Sequence, residues 1–170
     1  MSEHSDYLRE LAEGGFRESD AARFDAAWTH LQAAYEERLA AAVAPFDEWR
    51  SRFRAGAAET ARLVEAYRAE ARFLTVDSLA AGVRGRRRQQ ALAANLAEQI
   101  DAARREIADP GAVPKITSAW IVALFVNWVY RRCTVPGEPD LPAQLPELTF
   151  LAISAYFGTE AGLEELIPPP

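Results

Sequence analysis

Apolar residues recur along this chain at spacings of three and four, and nowhere do period-two alternation and β-branched clusters coincide. That periodicity predicts an all-α protein of six or seven helices. Residues 1–18 are polar and include Gly14-Gly15, so they read as an arm or a short, loose helix. Ser19 or Asp20 is a suitable N-cap for a helix running to about Ala44, with Phe24, Trp28, Leu31, Tyr35, Leu39 and Val43 as its stripe. Pro45 and the acidic pair Asp47-Glu48 open a second helix, where the pair suits the positive end of the helix dipole. Its stripe is Phe46, Trp49, Phe53, Gly56, Thr60, Leu63 and Tyr67, steps of three and four without a break. A third segment, about 69–81, buries Phe73, Leu74 and Leu79 and stops at Gly82. A fourth covers about 86–108, with Leu92, Leu96, Ile100, Ala103 and Ile107 inward, and ends at the Pro/Gly-rich stretch 109–114. After the fifth helix comes a linker-like stretch, 134–140. A sixth helix starts near Pro142 or Pro146 and reaches Phe157, and a last amphipathic turn spans 160–166. The chain therefore divides into a polar arm (1–18), a helical domain (19–167) and a proline tail (168–170).

The fifth helix breaks the amphipathic pattern. Residues 119–130 are apolar all round except for Asn127, with Lys115 before them and Arg131 and Arg132 after. A helix of that length covers roughly 18 Å, short of the ~30 Å hydrocarbon core of a bilayer. A helix apolar on every face that cannot span a membrane has to be buried on every face, which in a small protein calls for a partner. Ser118, Val122, Phe125, Val129 and Arg132 share one face; Trp120, Ala123, Asn127 and Tyr130 share the opposite one.

Composition narrows the class further. The 170 residues are 49% hydrophobic and 26% charged, enough for one folded core and unlike a disordered chain. A net charge of -6 argues against general attraction to nucleic acid or anionic lipid. The single cysteine, Cys133, allows no internal disulfide, and residues 1–7 lack the basic and apolar regions of a signal peptide. A cytoplasmic protein without a membrane partner is expected.

Catalytic constellations are nearly absent. His4 and His30 lack a second ligand at helical spacing, and no metal site is expected. Cys133 follows two arginines that could lower its pKa, or it is simply a small apolar residue at a helix end. Arg84-Gly-Arg-Arg-Arg88 is the one concentrated basic patch, read either as a phosphate contact or as hydrated charge at a helix start. No phosphate loop, nucleophile elbow or carboxylate pair occurs, so neither an enzyme nor a cofactor is expected. The second helix is more telling. Between Trp49/Phe53 and Leu63/Tyr67 its inward residues are small, Gly56 and Thr60, with Ala57 and Ala61 beside them. Small residues on a core face mark either a close helix crossing or a pocket with aromatic walls and a hydroxyl. Asn95 and Gln99 could supply polar contacts to such a pocket, or form a solvated helix edge.

The run Phe24-Asp-Ala-Ala-Trp28, then Tyr35-Glu-Glu-Arg-Leu39, Asp47-Glu-Trp49 and Arg54-Ala-Gly56, resembles the regulatory domain of TetR-type transcriptional repressors. Residues 69–82 with Arg86-Arg-Arg88, and the closing segment 145–158, extend the resemblance to about residues 20–167. It implies a transcription regulator's all-α effector-binding domain whose last two long helices form a four-helix bundle across a two-fold axis. The expected effector is an apolar or aromatic small molecule, with Phe53, Ala57, Thr60, Tyr67, Asn95, Gln99, Trp120 and Leu124 as wall candidates. The homodimer contact is expected from Val122, Phe125, Val129, Arg132, Leu148, Leu151 and Ala155. TetR repressors begin with a helix-turn-helix head, and the acidic, glycine-containing segment ahead of residue 20 fits none. Direct DNA binding is therefore doubtful for this chain. A rival reading is a helical homodimerisation or protein-interaction module with no ligand.

Overall fold

The computed structural model describes residues 3–166, with side chains from residue 6. Eight α-helices and no strand occur among the described residues. They are α1 (Glu3–Gly14), α2 (Ala21–Val43), α3 (Trp49–Ala66), α4 (Arg68–Thr75), α5 (Val83–Asp101), α6 (Thr117–Thr134), α7 (Leu141–Phe157) and α8 (Thr159–Leu163). No described helix is long and apolar enough to cross a membrane. The His4 side chain and the proline tail 168–170 lie outside the described residues.

Three buried clusters hold the helices, the third (Ala61, Val64, Val129 and Leu141) joining α3, α6 and α7 beside the second. The first joins α1, α2 and α4: Tyr7, Leu8 and Leu11 pack with Phe24, Ala27, Trp28 and Phe73. Of the two readings of the N-terminal segment, the described part takes the short helix: Glu3–Gly14 is helical and buries one short stripe. Three apolar side chains one turn apart suffice here because they meet an aromatic cluster. The Phe24 ring lies 5.5 Å from Phe73 and 6.1 Å from Trp28, geometry that adds about 0.5–1.5 kcal/mol per aromatic pair beyond burial.

The second core joins α3, α6 and α7 through Trp49, Ile121, Leu148, Ala152, Ile153 and Tyr156. Side chains, local and distant, fix the helix ends. The turn after Val43 runs through Pro45 to Glu48, so α3 starts at Trp49 rather than at Pro45, and Phe46 is left 43% exposed. Both carboxylate oxygens of Glu106 accept from the Trp49 backbone N–H at 3.0 Å, replacing a local cap. Asp140 caps α7 by accepting from the Ala143 N–H at 2.9 Å. Arg104 donates to the carbonyls of Pro110, Val113 and Pro114, which pins the chain between α5 and α6.

The two-sided helix α6 is oriented opposite to the expected interface. Val122 and Val129, with Leu148 on α7, are buried within the protomer, and Phe125 is half-buried. Arg132 is ion-paired to Glu65 of α3 at 2.7 Å. Of the expected interface residues, only Leu151 and Ala155 face outward. Periodicity reveals that α6 has two apolar faces; α5, α4 and α7, which pack on it, decide which one the protomer covers. The face left open carries Trp120, Ala123, Asn127 and Tyr130, and Trp120 is 67% exposed.

Candidate functional site

The chemistry of the molecule gathers along a cleft framed by α2, α3, α5 and α6. Helices α2 and α3 pack closely as a pair, and so do α5 and α6, whereas α2 and α5 approach each other much less. Two lobes result, of about 120 Å³ and 330 Å³. Tyr35, Thr60, Leu96, Phe125 and Val126 line both and form a waist between them. The larger lobe is within the range of roughly 300–1,000 Å³ of small-molecule sites.

Small residues in α3 make this space and let α2 approach. The Leu39 and Val43 side chains lie 3.2 and 3.4 Å from where a Cβ on Gly56 would sit, and all three residues line the smaller lobe. Crossing and pocket are thus the same feature. Thr60 donates from Oγ1 to the Gly56 carbonyl at 2.8 Å. The Tyr35 hydroxyl lies 3.1 Å from that Oγ1, and donates to it because the Thr60 proton is already used. Burial pushes the Tyr35 phenol above its ordinary pKa. The waist is therefore neutral, with both hydroxyl protons consumed inside the wall.

The expected wall residues divide. Phe53, Ala57 and Gln99 line the smaller lobe, Tyr67 the larger, and Thr60 both. Trp120 instead faces outward, and Leu124 packs into the core of α3, α6 and α7. Asn95 lies on the α2–α5 seam, where a relay bridges the two helices. Trp28 Nε1 donates to Gln32 at 2.8 Å, Gln32 to Glu36 at 2.9 Å, Asn95 to the same Glu36 oxygen at 3.3 Å, and Gln99 to Asn95 at 3.2 Å. Tyr35, Leu96 and Val126 were legible only as stripe or core positions. Their convergence on Thr60 depends on contacts between distant segments, which one sequence does not display.

Residues outside the cleft are engaged structurally. Arg84 and Arg88 of the basic patch both donate to Asp25 of α2, at 2.6 and 3.1 Å, fastening one end of the α2–α5 seam. Cys133 is half-buried and burial pushes its thiol upward, against a thiolate nucleophile. His30 lies on the rim of the larger lobe. Among the described residues, no group of three His, Cys, Asp or Glu side chains is placed to hold a metal ion. No family model, curated protein or solved structure matches the chain.

Proposed function

We propose that this protein is a non-enzymatic, cytoplasmic regulatory domain of the TetR-like kind that its sequence resembles, sensing an apolar or aromatic small molecule as a homodimer. The observation that carries the reading is the two-lobed apolar cleft with its neutral hydroxyl waist. Aromatic and aliphatic walls with few polar groups are the usual make-up of a binding pocket. The reading gives the described residues a sensing and dimerising role, and no direct contact with DNA. A thermal-shift panel of hydrophobic ligands tests it. At roughly a hundred times its Kd a ligand adds about 2.7 kcal/mol, which in a chain of this length raises Tm by about 5–10 °C. A flat response across a broad panel would remove the sensing role.

The open face of α6 favours dimerisation, with or without a ligand. Trp120, Ala123 and Tyr130, with Leu151 on the neighbouring α7, form outward apolar surface flanking Asn127. Large outward apolar surface usually marks a contact site. Trp120→Glu places a charge there without touching the protomer core, and it will convert a dimer to a monomer in native mass measurements at micromolar concentration. A wild-type monomer under those conditions would refute the homodimer. A dimer that binds no ligand would leave the interaction module as the function.

A further inference from the structure

The charges around the cleft are distributed unevenly. Helix α3 carries four arginines: Arg50, Arg52, Arg54 and Arg62. Arg50 and Arg54 are held by Glu165, and Arg62 by Glu59. Arg52 has no ion pair among the described residues, and it is the only formally charged residue lining the smaller lobe. The Gln99 carboxamide stands in the same lining. Beyond this mouth the walls are apolar as far as the waist, and Tyr35 and Thr60 have already spent their hydroxyl protons there. A ligand group at the waist therefore meets no free hydroxyl donor, and the larger lobe beyond it is walled mostly by aliphatic side chains, with the Tyr67 hydroxyl among its few polar groups, so the group gains most by being hydrocarbon. The cleft is also long: its wall on α2 extends from His30 to Val43, roughly 20 Å at the helical rise.

From this we infer that the ligand is a single-chain amphipathic carboxylate, with its head at Arg52 and its alkyl chain passing the waist into the larger lobe. The inference rests on the sensing role proposed above and specifies the chemistry of its ligand. A planar guanidinium suits a carboxylate because it can donate two parallel N–H bonds. At the other mouth Arg38 is accompanied by Glu70 and lies over the Tyr67 ring, so it is a poorer anion site than Arg52.

Isothermal titration of the full chain with dodecanoate, dodecanol and dodecyltrimethylammonium, all below their micellar concentrations, tests the head group at constant chain length. Dodecanoate will bind at least tenfold more tightly than dodecanol, and the ammonium more weakly than either. Arg52→Gln, a change at an exposed position, will bring dodecanoate to the level of dodecanol and leave dodecanol unaltered. Ala57→Trp, checked for folding by its Tm, will fill the smaller lobe and abolish binding of both. Equal binding of the acid and the alcohol, or dodecanoate binding unaffected by Arg52→Gln, overturns the carboxylate assignment and leaves the sensing role standing. Binding that survives a folded Ala57→Trp places the chain outside the cleft and overturns the assignment too. If none of the three amphiphiles binds while the hydrophobic panel gives a hit, the acyl ligand alone is refuted; if both fail, the sensing role goes with it.

Discussion

Gly85→Ala will destabilise the protein by roughly 3 kcal/mol or more, at the upper end of what overpacking one carbon costs. Gly85 is buried in the first turn of α5, where the helix crosses the 3-10 turn Asp77–Ala81. A Cβ there would fall far inside contact distance of the Ser78 carbonyl oxygen and carbon. The obstacle is backbone, which no rotamer change removes. Nor can the turn retreat easily. Ser78 is fully buried, and Gln89 of α5 donates to its hydroxyl at 2.9 Å and to the Leu74 carbonyl at 3.1 Å. On either side, Arg84 and Arg88 bind α5 to Asp25. Gly14→Ala is the matched control: nothing lies within 4 Å of its Cβ position and it ends α1, so the same change will be neutral or slightly stabilising. Urea unfolding of the two variants reads the difference directly. A loss below about 1 kcal/mol for Gly85→Ala would show that α5 can shift away from the turn freely. Since α5 also carries Leu92, Leu96 and Gln99 into the cleft, any such shift will alter ligand binding as well.

The helical character of the chain, the aromatic stripe of α3 and the run of small residues at Gly56–Thr60 were all legible, because each depends on spacing within one segment. What stayed hidden depends on pairs of segments. The two faces of α6 are both apolar, and only neighbours decide which is covered. One local sign pointed the right way: Asn127 and Arg131, the polar residues least suited to a core, both lie on the face that stays open. Arg132 illustrates the opposite error. On a helical wheel it completes the stripe of Val122, Phe125 and Val129, which suggested an intermolecular contact, yet its partner is Glu65 of the same chain, 67 residues away. The cleft was half legible for the same reason. Phe53, Ala57 and Thr60 belong to a single stripe, whereas Tyr35 enters the site only through a contact 25 residues distant, and Arg52 is notable only because its neighbours on α3 are already paired.

Glu65→Gln will lower stability at pH 7 by about 2–3 kcal/mol, and this loss will disappear in acid. Glu65 joins three helix ends. Its two oxygens accept from Arg132 Nε and Nη2 at 2.7 and 2.9 Å, a bidentate pair between α3 and α6. The same carboxylate accepts from Arg68 at 2.8 Å and from the backbone N–H of Leu141, the first residue of α7, at 3.2 Å. The Glu65 and Arg132 side chains are 22% and 17% exposed, so solvent screens the pair much less than a surface bridge. The Arg132 bonds, against an opposing effect of burial and with help from Leu141 and Arg68, hold the Glu65 carboxyl down to about 2 from an ordinary 4.5. A depressed carboxylate stabilises the fold fully above its unfolded pKa, and that contribution is lost as pH falls through the folded one. The wild type will therefore lose stability between about pH 4.5 and 2, over which the Glu65→Gln variant will be flatter and the gap between them will close. Glutamine can still accept from Leu141 but leaves the Arg132 guanidinium without its charge partner. Arg132→Met added to Glu65→Gln will accordingly recover part of the loss, since removing both charges costs less than stranding one. Urea denaturation across pH 2–7 measures all three chains, and a constant gap between wild type and Glu65→Gln over that range would mean that packing of the side chain, rather than its charge, joins α3, α6 and α7.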